Sequence, residues 1–217
     1  MSAREEVLGR VRAALAGVEP TTEPVAAPVP PAGEPHEVLD LFVERVADYR
    51  AVVERVPPAD LADHVAGLFA AGQRVVVPTG LPEALVAAVP AAPLSAAVLD
   101  TTDAVVTLAA VGIAETGTIV LDHGPGQGRR AATLVPDRHV LLVDVDQVEA
   151  DVPQAVARLS ASVAAGRPLT WISGPSATSD IELDRVEGVH GPRQLHVLLV
   201  GEPVGQPAGQ PAGGPTP

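Results

Sequence analysis

The 217-residue chain contains no cysteine, which removes thiol nucleophiles, disulfides, thiolate zinc sites and cysteine-ligated iron–sulfur clusters from its own chemistry. It contains no lysine either, so all 14 cations are arginine. Schiff-base chemistry and a phosphate-loop lysine are excluded by inventory. Against those 14 cations stand 27 acidic residues, a formal net charge of −13. A field of that sign repels phosphate backbones and anionic headgroups, which predicts binding neither to nucleic acid nor to a membrane surface. Aromatic residues make up only 2% of the chain while hydrophobic residues make up 47%. Ala, Val and Leu must therefore fill the core, which favours close packing of helices on a sheet. No apolar run is long enough for a membrane span, and the start Met1-Ser2-Ala3-Arg4-Glu5-Glu6 is too acidic for a signal peptide. The expected location is the cytoplasm.

What is present divides the chain into four stretches. Ser2 and Glu5 have capping-box spacing, and Val7, Val11, Ala14 and Val18 recur at helical intervals, so residues 1–18 are expected to carry an amphipathic helix. Residues 19–36, with six prolines between Pro20 and Pro35, read as a linker. Residues 37–200 read as one α/β domain, and residues 201–217, with five prolines and five glycines, as a disordered tail. Within the domain, Val38, Leu41, Phe42, Val46, Tyr49, Val52, Val53 and Val56 form a stripe of 3.6 periodicity that predicts one helix up to Pro57-Pro58. A further helix over 61–72, a strand over 74–78, a helix from Pro82 to Val89 and a strand over 97–100 follow. That alternation implies a mostly parallel sheet with helices on both faces. Residues 118–121, 131–135 and 139–145 read as three strands joined by short turns, an antiparallel meander in the middle. A helix over 151–165, a buried strand over 169–172 that includes Trp171, and a last strand over 195–200 complete the reading.

Two polar segments exceed what core packing requires. In Ala114-Glu115-Thr116-Gly117-Thr118, a carboxylate beside a glycine and two hydroxyls offers a general base or a nucleophile; equally, Glu115 can cap a turn to which Gly117 supplies the dihedral. The second segment runs from Ser173 and Gly174 through Ser176, Thr178 and Asp180 to Glu182, directly after a predicted strand. Loops beyond the carboxyl ends of parallel strands are where open α/β sheets bind ligands, and this one offers hydroxyls and N–H groups to a small carboxylate or a phosphate. His190, between glycines, follows closely. The glycine-rich 124–128 stretch lacks the strand-to-helix context of a dinucleotide fingerprint and reads as a flexible hairpin loop, with Arg129 and Arg130 at its base to pair with an acidic substrate or with Glu115. The six histidines show no His-x3-His spacing, so no metal site is predicted.

Ala114-Glu115-Thr116-Gly117-Thr118, Arg130 with Leu134-Val135-Pro136, the block from Gly174 to Glu182 and Gly188-Val189-His190-Gly191-Pro192 resemble, in this order, the LUD-domain family. Within it the chain is similar to the lactate utilisation protein C (LutC/YkgG) group. The resemblance implies a NagB/RpiA/CoA-transferase-like fold and a part in oxidising L-lactate to pyruvate alongside partner proteins that carry iron–sulfur clusters. The absence of cysteine fits that division of labour, with no cofactor in this chain. A substrate-handling or accessory subunit is one reading. A free-standing enzyme similar to CoA transferases or sugar-phosphate isomerases, with Glu115 as base or nucleophile, is the alternative.

Overall fold

Side-chain alternation along the central strands decides the architecture. In chain order the computed structural model comprises α1 (Ala3–Ala14), α2 (Pro35–Asp48), β1 (Val52–Val56), α3 (Leu61–Gly67), β2 (Val75–Val76), α4 (Glu83–Ala88), β3 (Ala91–Ala92), α5 (Ala96–Leu99), β4 (Ala104–Leu108), β5 (Val111–Ile113), β6 (Thr118–Leu121), α6 (Arg130–Leu134), β7 (Arg138–Asp144), β8 (Val148–Glu149), α7 (Val152–Ala164), β9 (Thr170–Ile172), β10 (Ala177–Thr178), β11 (Val186–Glu187) and β12 (Gln194–Val200). The structure describes residues 2–18, 34–92, 96–175, 177–178, 186–187 and 191–202. Two units are distinguished, Met1–Pro30 and Pro31–Pro217. In the first, the Ser2–Glu5 capping box opens α1, both reciprocal bonds being present.

The second unit is α/β. Six strands in the order β1-β12-β7-β4-β2-β3 form a sheet in which every pair is parallel. Along β7 and β12, Leu141, Val143, Leu195, Val197 and Leu199 point to one face, where Leu39, Phe42 and Val46 of α2 and Ile119 and Leu121 of β6 meet them. Val140, Leu142, Leu198 and Val200 point to the other, against Val65 of α3 and Leu85 of α4. Continuous apolar runs such as Val140 to Val143 are the pattern expected of strands covered on both faces. A second sheet, β8-β5-β6-β9, lies on the α2 side of the first, and α7 covers it through Ala155 and Leu159. Among the described residues no helix is long and apolar enough to cross a membrane.

Several expected elements are different. The helix predicted up to Val56 ends at Asp48; Arg50 adopts φ +68°, and Val52 to Val56 form β1 beside β12. The 3.6-residue stripe was two patterns laid end to end, and β-branched residues favour the strand. Residues 97–100 are not a strand: Ala96–Leu99 is helical, with the Thr101 and Thr102 hydroxyls donating to Val98 O, and the strand is β4. Residues 131–135 are not a strand either, since α6 occupies them and Thr133 bonds back to Arg130 O. The three-strand meander therefore does not form. β7 joins the parallel sheet, and the antiparallel pairs are β5 with β6 and β6 with β9. Residues 122–128 are a packed loop and not a free hairpin. Gly126 N donates to Thr79 O at 2.8 Å, its carbonyl accepts from Leu108 N at 2.9 Å, and a Cβ there would lie 2.6 Å from Leu108 Cδ1. Gly201, the first residue of the expected tail, still donates its N–H to Val56 O at 3.2 Å.

Candidate functional site

A cavity of about 340 Å³ opens where α6, the starts of β7 and β12, and β9 with the residues after it converge. Its polar lining is Arg130, Thr133, His139, Thr170 and Ser173; Trp171, Leu195 and Pro192 are among its apolar walls. His139 and Leu195 are the second residues of β7 and β12, so the cavity lies at the amino-terminal edge of the parallel sheet and not beyond its carboxyl ends as expected. The reason is topological: β9 belongs to the second sheet, antiparallel to β6, and its carboxyl end points to the opposite edge.

His139 is 1% exposed and its Nε2 lies 2.8 Å from Thr107 Oγ1. Burial pushes the imidazole down to about 3, because a charged ring in that interior has no water to solvate it. It is a neutral hydrogen-bonding group. Arg130, exposed at the start of α6, has no ion pair among the described residues. Among the described lining residues, it is the one that carries a cationic group.

Thr170 connects the cavity to the loop behind it. Its Oγ1 lies 2.8 Å from His123 Nε2, and His123 Nδ1 lies 2.8 Å from Gly128 O. A carbonyl only accepts, so Nδ1 carries the ring proton and, in the neutral ring, Nε2 accepts from Thr170. His123 holds φ +53°, a region that non-glycine residues rarely adopt. Gln127, buried, fixes it there by accepting from Asp122 N at 2.7 Å and His123 N at 3.1 Å. On the other side of the loop the Asp122 carboxylate accepts from Ser162 Oγ at 2.5 Å, Arg167 at 2.7 Å and Gly124 N at 3.0 Å. Burial would raise this carboxyl, but the Ser162, Gly124 and Arg167 donors outweigh it and hold it below its usual range.

Of the residues singled out in the sequence, Arg130, Ser173 and Gly174 line the cavity and Arg129 does not. Glu115 is exposed on the turn between β5 and β6, outside the cavity lining, with its N–H donating to Ala150 O. Neither Arg129 nor Arg130 pairs with it among the described residues. Its neighbours do approach the site: Thr116 Oγ1 donates to Thr118 Oγ1 at 2.7 Å, and Thr118 Oγ1 lies 2.8 Å from Ser173 Oγ. Gly117 takes φ +63°, and a Cβ there would lie 2.8 Å from the Arg45 backbone. The Tyr49 hydroxyl, pushed up by burial, donates to Gly117 O at 2.8 Å. Thr178 is on β10. Ser176, Asp180, Glu182 and His190 lie outside the described residues, as do the linker from 19 to 33 and the tail from 203.

Sequence reasoning missed Thr133, His139, Thr170 and His123 and placed Trp171 in the interior, whereas it is 44% exposed on the edge strand β9. The available signal for His139 was a titratable ring opening the apolar run of β7.

The cavity residues fall inside the stretch, residues 96–200, that matches the LUD domain. Over 204 residues, 92% of this chain and 96% of the relative, the sequence is 47% identical to a lactate utilization protein C of Deinococcus radiodurans. The chain belongs to the lactate utilisation protein C family. A family member from Bacillus pumilus is 38% identical over 94 residues, 42% of this chain and 39% of that protein. The Bacillus subtilis lactate utilization protein C is 32% identical over 101 residues, 45% of this chain and 42% of that protein. The crystal structure of a DUF162-family protein from Deinococcus radiodurans matches with a TM-score of 0.68 at 42% identity, covering 78% of this chain and 99% of that one. For this lactate utilisation protein C family member, the matched stretch thus contains α6, β7, β9 and β12, the elements that build the cavity.

Proposed function

We propose that the chain serves lactate utilisation, as the names of its relatives suggest, by holding a small carboxylate in the cavity while L-lactate is oxidised to pyruvate in the cytoplasm. The oxidation removes two electrons and two protons. Without cysteine this chain has no ligands for a thiolate-held cluster, and in this reading, as the family resemblance implies, the electrons pass to iron–sulfur proteins outside it.

The observation that carries this reading is the Arg130 guanidinium on the wall of a cavity whose other described polar groups are uncharged hydroxyls and a neutral imidazole. A chain of net charge −13 repels carboxylates at long range, and an arginine fork is the group that recovers one at short range, through paired charge-assisted hydrogen bonds. Thr133, Thr170 and Ser173 are then left for the substituent on the α-carbon. No observation favours the enzyme built on Glu115, which stands outside the cavity.

Calorimetric titration of the purified chain with L-lactate and pyruvate tests the reading. Arg130→Gln, at an exposed position, is expected to weaken binding by about tenfold or more, as for loss of charge-assisted hydrogen bonds to the carboxylate. Absence of binding to either acid by the unsubstituted chain, or undiminished binding by the variant, overturns it. In the cell, deleting the gene is expected to abolish growth on L-lactate as sole carbon source.

A further inference from the structure

We propose that Thr170 and His123 form a proton-accepting pair for the hydroxyl of an α-hydroxy acid held at Arg130; this rests on the carboxylate reading above. With Gly128 O fixing the proton on Nδ1, the Thr170 hydroxyl donates to His123 Nε2 at 2.8 Å. Its proton therefore points away from the cavity that Thr170 lines. Toward a ligand, Thr170 presents lone pairs. It receives an O–H group and meets a carbonyl oxygen, which only accepts, with no proton to give.

The arrangement has the logic of an activated hydroxyl: an oxygen at the reaction site, a base within 2.6–3.2 Å of it, and a third group orienting the base. The backbone supports the same reading. His123 is in the left-handed region, and Gln127 holds it there with bonds to two successive N–H groups. A non-glycine residue kept in that region beside a cavity is a feature of functional sites. The charged groups on the elements meeting at His123 are Asp122 in its own loop, Arg167 after α7, and Arg129 and Arg130 at the start of α6. Asp122 and Arg167 neutralise each other as an ion pair, and a bound carboxylate neutralises Arg130.

In the step itself the ligand hydroxyl gives its proton to Thr170 Oγ1, and Thr170 gives its own to His123 Nε2. The O–H bond of the ligand breaks, an N–H bond forms, and an alkoxide and an imidazolium result; no carbon bond changes. The imidazolium keeps both N–H groups bonded, to Gly128 O and to Thr170. Conversion of the alkoxide to the carbonyl of pyruvate then requires loss of the α-hydrogen as a proton to water and of two electrons, one at a time, to the iron–sulfur acceptor outside this chain. The carbonyl can be satisfied by Thr170 only when His123 donates in turn, that is, when His123 is protonated. Pyruvate binding therefore takes up a proton that L-lactate binding does not.

Titrating the purified chain with each acid, in buffers of different ionisation enthalpy, counts that proton. Nitrogen NMR of labelled histidine identifies where it goes. Pyruvate is expected to take up more protons than L-lactate, to bind more tightly as pH falls by up to about tenfold per unit, and to give His123 two N–H signals where L-lactate leaves one. Thr170→Val, nearly isosteric on a strand, is expected to abolish the difference, and Thr170→Ser to restore it. Equal proton uptake by the two acids, or a difference that survives Thr170→Val, overturns the pair while leaving the Arg130 reading intact. If neither acid binds, the Arg130 reading fails and the pair falls with it. The spectrum of the unsubstituted chain decides the matter even if a variant fails to fold.

Discussion

The neutral state of His139 has a measurable cost on the acid side. In the folded chain the ring is 1% exposed and burial holds it down at about 3; in the unfolded chain it returns to about 6.5. Between these values the unfolded state binds a proton that the folded state lacks, so the stability is fully present above pH 6.5 and is lost as pH falls. At pH 5 the medium is about 1.5 units below the unfolded value, and each unit is worth about 1.4 kcal/mol. The loss from pH 7.5 to 5 is then about 2 kcal/mol, set by the unfolded value alone because the folded one lies well below 5. For a domain of this size that is about 4–8 °C in Tm. His196, lowered first by burial and also by the charges of Arg138 and His64, against the raising effect of Glu54, draws on the same pH range. The unsubstituted slope alone therefore does not isolate His139. His139→Gln does, since the amide retains a partner for Thr107 while removing the titration. Thermal unfolding followed by circular dichroism at pH 7.5, 6.5, 5.5 and 5 should show the stability gap between the two proteins shrinking by about 2 kcal/mol toward acid. Parallel loss in both would refute the argument, and with it the view that Arg130 supplies the cavity's cation while His139 stays neutral.

Asp122→Asn keeps the shape but loses the charge-assisted bonds from Ser162 and Arg167, a cost of about 2 kcal/mol by urea denaturation at pH 7. Because the native carboxyl is held low, that cost should persist down to about pH 4 and fade below it; an unchanged midpoint at pH 7 would contradict the assignment. Gly117→Ala forces a side chain into φ +63° and to within 2.8 Å of the Arg45 backbone, which should destabilise by about 1–3 kcal/mol; a Tm equal to that of the unsubstituted chain would show that the turn is not held as described. Trp171, the single tryptophan, is 44% exposed on the cavity wall, so its emission should be that of a solvated indole, quenched by acrylamide and protected by L-lactate. A blue, unquenchable spectrum would place it in the interior.

The parts of the fold that were legible in the sequence are those written locally. The Ser2–Glu5 capping box, the Asp151 cap of α7 with Gly166 closing it at φ +72°, and the run that forms β12 each need only neighbours in the chain. The illegible parts needed the other side of the molecule. Val52, Val53 and Val56 fit a helical stripe as well as a strand, and only pairing with residues 196–200 chooses between them. Ala104–Leu108 was overlooked because a strand buried on both faces has no alternation to display. In the site, Arg130 and Ser173 were visible as polar residues where the core needs none. Thr170 and His139 were not, because one hydroxyl in a strand and one histidine in an apolar run look like packing until the folded chain sets them around a common cavity.

Asp122 and His123 show why the site could not be assembled from motifs. They are neighbours in sequence and serve opposite directions: the Asp122 carboxylate is anchored by Ser162 and Arg167 at the end of α7, and the His123 ring reaches Thr170 at the cavity. That divergence requires the chain to turn sharply between them, which the left-handed conformation of His123 provides and Gln127 secures by binding both backbone N–H groups. The loop is in turn fixed from below where Gly126 bonds Thr79 and Leu108. Glycines at 124, 126 and 128 therefore do not cradle a phosphate or loosen a hairpin; they let the backbone pass close enough to β4 and Pro78 for one residue to be tied to α7 while the next is aimed at the ligand. A spacing pattern that resembles a nucleotide fingerprint is here the consequence of a tight crossing, and the chemistry lies in the two side chains that the crossing separates.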